Sequence, residues 1–217
     1  MTYWFRTAEG SLTSWREVGD AGVVLREAVF DAERPAAMPP EPLAPAPWGA
    51  AVVASSRAEL SWLAGRFGLL GMALYEDMYG APTARTAEGG AEVTEGDFER
   101  AWGKARSDRH FTPRPTGPLP NGTRLTGTVS VLPWGPGITG LFVDLGPELP
   151  LPAFVDMGHL PREPDRWPQV GAVGSYEVTD VRFHSVAQGP CGLQIRLRPA
   201  PPAAPAPAPR PSGPGPR

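Results

Sequence analysis

The stretch 127–145 reads GTVSVLPWGPGITGLFVDL and decides how the second half of the chain is interpreted. Two short runs of alternating hydrophobic residues lie on either side of a cluster of Gly and Pro. Such alternation is typical of half-buried β-strands, and clustered Gly and Pro predict a turn. The stretch therefore predicts a β-hairpin, with Trp134 at the turn and Phe142 just beyond it. These two aromatic residues either pack in a core or offer a surface on which a ligand stacks.

The hairpin belongs to a series of five strand-like runs between residues 122 and 199. In chain order they read TRLTGTVSVLPW, GLFVDLG, LPAFVDMGHL, GAVGSYEVTDVRFHSV and CGLQIRLRP. Five strands within 78 residues predict a small closed barrel, because a β-sandwich needs about seven strands. The polar connection PREPDRWPQV, between the third and fourth runs, predicts a 3₁₀ turn around 165–167.

Short motifs follow one another through these runs in a fixed order. They are, in chain order, a Gly-x-Val step at Gly127 and Val129, an aromatic-Gly step at Trp134 and Gly135, one hydrophobic strand segment at Phe142 and Val143 and another at Phe154 and Val155 with Leu160, a hydrophobic-Gly step at Val170 and Gly171, and a closing strand at Ile195 with Leu197. This order resembles the S1-like RNA-binding domain, a five-stranded OB-fold barrel. The resemblance covers 78 of the 217 residues.

In S1-like domains, two aromatic residues, a His, an Asp and an Arg form the RNA-binding face. The resemblance places the aromatic pair on Trp134 and Phe142, so both stacking positions are retained. The other three positions fall on different residue types. The His position of the family falls on Asp156, its Asp position falls near Arg182, and its Arg position falls on Gln194. The resemblance therefore implies that the aromatic platforms remain while their polar and cationic partners have changed.

An insertion and several alternating cations lie near these positions. The insertion PGITG (136–140) separates the two aromatic residues, which are nearly adjacent in S1-like domains. Alternation places Arg182 and His184 on one face of the fourth strand, and Arg196 and Arg198 on one face of the fifth. Six residues form the candidate nucleic-acid-binding site: Trp134, Phe142, Phe154, Arg182, His184 and Arg196.

The charge of the chain limits its partners. The net charge is −3 and the pI is about 5.7, which excludes a strongly basic protein at the level of the whole chain. The block 122–199 carries 6 Lys and Arg against 7 Asp and Glu, giving −1. Single-strand binding relies on stacked bases and on a positive groove. Two functions therefore stay open for the barrel: binding of single-stranded RNA or DNA, and binding of a protein.

Residues 1–111 predict a small α+β domain of antiparallel strands and helices. The runs TYWFRT, TSWREVG and GVVLREAVFD predict strands separated by turns at Gly10 and at GDAG (19–22). Two sites with capping-box spacing predict helix starts, one at Ser56 with Glu59 and one at Thr94 with Asp97. Gly65, Gly68 and Gly71 favour two short pieces in the first helix, and the second is predicted over 95–106.

The acidic first block suggests a second function. Residues 1–112 carry 11 Lys and Arg against 16 Asp and Glu, giving −5, which suits a basic protein partner and does not suit RNA. The arrangement of WREV, VLREAVFD and TEGDFERAW resembles small uncharacterised actinobacterial domains, some of them associated with toxin-immunity neighbourhoods. The alternative function is therefore an immunity-type protein-interaction module.

Three Pro-rich segments, at 34–48, 112–122 and 200–217, punctuate the chain. They predict four parts: an α+β domain at 1–111, a linker at 112–121, an S1-like OB-fold barrel at 122–199 and a disordered Pro/Ala tail at 200–217. The fold class is therefore predicted as α+β. The tail contains no aliphatic residue larger than Ala, so it is expected to be extended and to bury no core.

No residue pattern predicts catalysis. The single Cys191 excludes an internal disulfide framework, and the three His residues are too scattered to form a zinc cluster with it. No triad, phosphate loop or cofactor motif is found, so no enzyme activity, cofactor or metal is expected. The N-terminus has no signal-peptide pattern, and no uncharged apolar run approaches 18 residues, so we expect a cytoplasmic protein without a membrane segment.

Overall fold

The fold of the chain is given by a computed structural model, which describes residues 1–37, 48–83, 90–186 and 189–201. The side chains of residues 185–191 lie outside this description. The predicted tail falls on 202–217, apart from its first two residues, and most of the first Pro-rich segment falls on 38–47. Both predictions therefore lie outside the described residues.

The first part of the chain forms a five-stranded antiparallel sheet. Its strands are β1 (Thr2–Glu9), β2 (Leu12–Gly19), β3 (Val24–Asp31), β4 (Ala50–Ser56) and β5 (Ala91–Glu92), in the spatial order β4-β3-β2-β1-β5. Gly10 adopts a φ of 58° between β1 and β2, a conformation that glycine adopts without steric cost. The predicted strands and the tight turn at Gly10 are confirmed, whereas β5 was not predicted because it has only two residues.

Two helices accompany this sheet, and both begin at the predicted caps. In α1 (Arg57–Tyr79), the Ser56 side chain accepts a hydrogen bond from the Glu59 amide, and Gly68 breaks the helix with φ 61° and ψ −153°. In α2 (Glu95–Phe111), the Thr94 side chain accepts from the Asp97 amide. The first helix therefore consists of two pieces, as predicted.

The predicted end of the second helix was wrong, because α2 continues to Phe111. The segment SDRHF (107–111) contains no Gly or Pro, and the next proline is Pro113. A residue before proline disfavours the helical conformation, so the helix ends only at Thr112. Asp108 fixes the extra turn, because its buried carboxylate accepts a hydrogen bond from the Ala51 amide at 2.7 Å.

The second part of the chain forms a closed five-stranded β-barrel, as predicted. Its strands are β6 (Arg124–Val131), β7 (Gly140–Asp144), β8 (Ala153–Asp156), β9 (Val173–Val186) and β10 (Gly189–Pro199), in the order β10-β8-β7-β6-β9. The pairs are antiparallel except for β8 with β10, which are parallel. A 3₁₀ turn lies at Pro164–Arg166, close to the predicted position, and a second lies at Met157–His159.

Alternating apolar residues fill the barrel. The buried positions on four strands include Val129, Leu141, Val143, Ala153, Val155, Leu193, Ile195 and Leu197. In β9 the buried positions shift from Tyr176 and Val178 to Val181 and Phe183. A register shift causes this change, since Leu197 pairs with Val178 while Arg196 pairs with Asp180. A β-bulge of this kind changes which face of the strand the following side chains point to.

The end of β9 contacts the helices. Phe183 is buried, and its ring centroid lies 5.5 Å from that of Tyr75 and 5.6 Å from that of Tyr79, both in α1. In α2, the Arg106 guanidinium lies 3.7 Å from the Tyr79 ring centroid. The Tyr75 hydroxyl donates to Glu59 at 2.5 Å and accepts from the Ser56 amide at 2.7 Å. Burial raises the pKa of Tyr75, and the nearby Glu59 carboxylate adds to this, so the hydroxyl stays protonated as a donor.

Part of the predicted linker is packed rather than exposed. Arg114 and Leu119 are both buried, and Arg114 donates a hydrogen bond to Asp180 of β9 at 2.8 Å. Within the part of the chain that the structure describes, neither helix is long and apolar enough to cross a membrane.

Candidate nucleic-acid interface

A line of paired residues crosses the outside of the barrel. Phe142 of β7 pairs with Phe154 of β8, and Phe154 pairs with Arg196 of β10. The two phenyl rings meet edge to face, with centroids 5.0 Å apart, and the Arg196 guanidinium carbon lies 4.9 Å from the Phe154 ring centroid. We call these three residues, Phe142, Phe154 and Arg196, the aromatic–cation row.

Strand alternation directs the row outward. Phe142 lies between the buried Leu141 and Val143, and Phe154 lies between the buried Ala153 and Val155. Both rings are half-buried. Each ring therefore rests on the barrel wall and keeps part of its surface in contact with solvent.

Gly140 allows the Phe154 ring to lie across β7. A Cβ at this position would come within 2.7 Å of the Phe154 Cζ atom and within 2.1 Å of the Val155 carbonyl oxygen. Gly140 also has a φ of 140°, which other residues rarely adopt. Gly140 is the last residue of the PGITG insertion, so the insertion supplies the space that the row requires.

Arg196 is only partly neutralised by its surroundings. Its Nη1 lies 4.0 Å from an Asp156 carboxylate oxygen, and its buried Nε has no hydrogen-bond partner among the described residues. Burial lowers the pKa of Arg196, and the nearby Arg182 adds to this effect, while Asp156 and Asp180 oppose it. The guanidinium remains protonated at neutral pH, because an arginine pKa lies far above 7. It therefore carries a charge and retains unused donor capacity.

Asp180 is bound by two arginines. Its carboxylate accepts from Arg114 at 2.8 Å and from Arg182 at 3.1 Å. Asp180 pairs with Arg196 and therefore lies on the same outer face as the row. Arg182 follows Asp180 by two residues on β9, so its half-exposed side chain lies on this face as well. Two arginines thus compensate the negative charge of Asp180. Asp156 also borders the row, but it is exposed and its cation partner, Arg196, lies 4.0 Å away.

Trp134 and His184 lie outside the row. Trp134 is 69% exposed in the connection between β6 and β7. His184 is exposed and pairs with Gly192, where a Cβ would come within 2.6 Å of the imidazole Nε2. Among the described residues, no ring contact or hydrogen bond joins either side chain to the row. The structure therefore brings together Phe142, Phe154 and Arg196, with Arg182 adjacent through Asp180.

Two residues of this surface were missed in the sequence. Arg114 falls in the predicted linker, and nothing in the pattern TPRPTGPLPNG indicates that its guanidinium is buried against Asp180. Gly140 was considered only as part of an insertion, although a Gly directly before a strand is a signal for close backbone approach.

No metal centre accompanies this surface. Within residues 1–37, 48–83, 90–186 and 189–201, no three His, Cys, Asp or Glu side chains are placed to hold a metal ion. The candidate site thus consists of aromatic rings, two arginines and their acidic partners.

Comparisons with known proteins add no family. No protein-family model, curated protein or solved structure matches the chain. The closed five-stranded barrel is compatible with an OB fold. The S1-like assignment and the actinobacterial resemblance of the first block stay predictions.

Proposed function

We propose that the barrel binds single-stranded RNA or DNA without catalysing a reaction on it. The observation that carries this proposal is the aromatic–cation row, which places two half-exposed rings and a guanidinium on adjacent strands of a closed barrel. Bases stack on aromatic faces with about 1–3 kcal/mol per base and with little dependence on sequence. The row therefore suits an unpaired strand of mixed sequence.

Each part of the surface has a distinct role in this proposal. Phe154, and beside it Phe142, hold successive bases. The outer nitrogens of the Arg196 guanidinium, whose side chain is 24% exposed, and the half-exposed guanidinium of Arg182 contact phosphate oxygens. Trp134 extends the stacking surface toward the β6–β7 connection, where its ring is exposed to solvent. His184 lies beyond Arg182 on the same face of β9. It contacts the bound nucleic acid only if the nucleic acid runs along β9.

The binding itself is tested with a fluorescently labelled oligonucleotide of about twelve nucleotides, a length within the range that one OB fold covers. Anisotropy is measured as the full chain is added at a physiological salt concentration of about 150 mM. We expect a dissociation constant between about 10⁻⁶ and 10⁻⁴ M, the usual range for sequence-independent binding. No change in anisotropy up to the top of that range would overturn the proposal. A duplex of the same sequence is the control and is expected to bind less well, because its bases are already stacked.

The salt dependence of binding is expected to be shallow. Two arginines face the strand, so about two phosphates are neutralised, and the logarithm of the association constant falls with the logarithm of the salt concentration with a slope of about −1.4. The titration is repeated between about 50 and 200 mM salt. A slope several times steeper would mean that the strand follows a basic surface elsewhere, and a slope of zero would mean that neither arginine contacts phosphate.

Replacing Asp156 with Asn is expected to tighten binding. The carboxylate is 57% exposed and lies beside Arg196, where it repels an incoming phosphate. Asparagine keeps the side-chain oxygen that accepts from the Gly158 amide at 3.0 Å, so the local turn is preserved. Removing one exposed charge at close range changes the binding free energy by about 1 kcal/mol, which corresponds to roughly a five-fold higher affinity.

The matched control for this change is Asp20→Asn. Asp20 is also exposed and lies at the end of the first sheet, next to the chain's amino group. Its replacement changes the net charge equally and is expected to leave oligonucleotide affinity unchanged. Equal tightening by both variants would show that only the overall charge matters and that Asp156 does not border the bound strand.

A further inference from the structure

A cavity of about 200 Å³ lies in the first sheet, remote in sequence from the barrel. Its lining includes Arg6 of β1, Thr13 and Trp15 of β2, Phe30 of β3, and Trp48 just before β4. Strand pairing places Arg6 opposite Trp15 and Thr13 opposite Phe30, so these four residues share one face of the sheet. None of them belongs to the proposed nucleic-acid interface.

The walls of this cavity are aromatic. The Trp48 ring centroid lies 5.2 Å from that of Trp15 and 4.8 Å from that of Phe30. Trp15 and Phe30 are almost fully buried, so their positions are fixed by the core behind them. A wall of three rings in contact favours a flat apolar ligand, because offset and edge contacts between rings are both available.

Arg6 supplies this cavity with a cation. Trp15 is 7% exposed and its indole Nε1–H is buried, so a ligand contacts the ring of Trp15 and not this N–H group. The Arg6 guanidinium carbon lies 5.4 Å from the Trp15 ring centroid, and Arg6 forms no ion pair with an acidic residue in the same described part. Among the described residues that line the cavity, none is acidic. Arg6 is exposed, so its guanidinium is available to an anion that enters the cavity.

We propose that this cavity binds a small planar carboxylate, an aromatic or heteroaromatic acid about the size of benzoate. The ring lies against Trp48, Trp15 and Phe30. The carboxylate accepts from the Arg6 guanidinium, whose planar set of donors matches a carboxylate. An apolar cavity of about 150 Å³ is large enough for benzene, so the present volume accommodates one such ring with its substituent.

The test uses the full chain labelled with ¹⁵N and follows the indole N–H signals of its 7 tryptophans. The Trp15 signal is identified by its loss in Trp15→Phe, whose other indole signals report that the fold is intact. Benzoate is titrated beside benzamide, benzylamine and acetate. Benzoate is expected to shift the Trp15 signal with saturation, because the Trp15 ring lines the cavity. Benzamide is expected to bind at least about ten-fold more weakly, since it lacks the charge-assisted hydrogen bond, and benzylamine and acetate are expected not to bind.

Arg6→Gln is expected to weaken benzoate binding by about ten-fold or more, because Arg6 is the one cation among the described residues that line the cavity. Arg6→Lys keeps the charge and is expected to retain part of the affinity. Arg100→Gln, a change at an arginine with a 74% exposed side chain on α2, is the control and is expected to have no effect.

Three results would overturn the proposal. The first is equal binding of benzoate and benzylamine, and the second is unchanged benzoate affinity in Arg6→Gln. The third is occupation of the cavity by a synthetic peptide of residues 202–217 while benzoate gives no shift, which would make it a site for Pro-rich segments. Oligonucleotide affinity is measured on the same variants and is expected to stay constant, so failure here is separate from failure of the proposed nucleic-acid function.

Discussion

Phe154→Ala is expected to weaken binding of a single-stranded oligonucleotide by roughly 5- to 150-fold, the loss of about 1–3 kcal/mol that follows removal of one stacking platform. Phe154 is the centre of the aromatic–cation row, since it contacts both the Phe142 ring and the Arg196 guanidinium. Its removal therefore also frees the two neighbours that it orients. The dissociation constant is measured by anisotropy at fixed salt.

The matched control is Phe111→Ala. Phe111 is a 58% exposed phenylalanine at the end of α2, outside the barrel. We expect its replacement to leave the dissociation constant unchanged. Phe154→Tyr retains an aromatic face and is expected to preserve most of the affinity. If Phe154→Ala binds as tightly as the unmodified chain, the row is a packing feature and bases do not stack there.

Phe183→Ala is expected to lower the free energy of unfolding by about 3–5 kcal/mol, the usual loss for a buried phenylalanine. The ring is 7% exposed and meets Tyr75 and Tyr79 of α1, so its removal opens a cavity between the barrel and the first helix. The free energy is measured by urea unfolding followed by tryptophan fluorescence.

The same Phe111→Ala variant is the control for stability. An exposed phenylalanine contributes little, and we expect a change within about 0.5 kcal/mol. Phe183→Leu fills most of the space and is expected to recover part of the loss. A loss below about 1 kcal/mol for Phe183→Ala would contradict the packing of β9 on α1, since large effects come from cavities in a well-packed core.

Local sequence signals predicted much of the fold. The alternation in β3 places Arg26, Ala28 and Phe30 on one face, and the structure confirms it, because Arg26 lies over the Phe98 ring while Ala28 and Phe30 are buried. The caps at Ser56 and Thr94 were readable because a side-chain acceptor and a first-turn acid recur at fixed spacing.

Local patterns could not predict contacts between side chains that are distant in sequence. Glu27 falls on the opposite face of β3 and is fully buried, where it accepts from Arg16 at 2.7 Å and from the Thr83 amide at 2.8 Å. Periodicity alone assigns a charged residue to solvent, so it cannot indicate a buried acid whose partners come from other segments.

The candidate interface shows the same limit. The outward positions of Phe142 and Phe154 follow from alternation in short strands. The outward positions of Arg182 and His184 depend also on the β9 bulge beside Asp180, which changes the phase of burial between Val178 and Val181. A bulge has no reliable sequence signal without a glycine, and β9 has none at this point.

The acidic first block stays a predicted partner site for a basic protein. Several of its acids are engaged within the fold: Glu17 and Glu99 pair with Arg26, and Glu59 pairs with Arg106. Asp108 is buried against the Ala51 amide. These acids are therefore occupied by contacts within the fold, and the contacts do not identify a surface for a basic partner.

Photocrosslinking shows where on the chain a bound oligonucleotide lies, and so tests whether the barrel is the nucleic-acid-binding surface. A single-stranded oligonucleotide carrying 5-iodouracil is bound to the full chain and irradiated, and the crosslinked residue is identified by mass spectrometry. We expect crosslinks to Phe142, Phe154 or Trp134 that are lost in the presence of excess unlabelled oligonucleotide. Crosslinks confined to residues 1–111, or binding without any crosslink in the barrel, would contradict it.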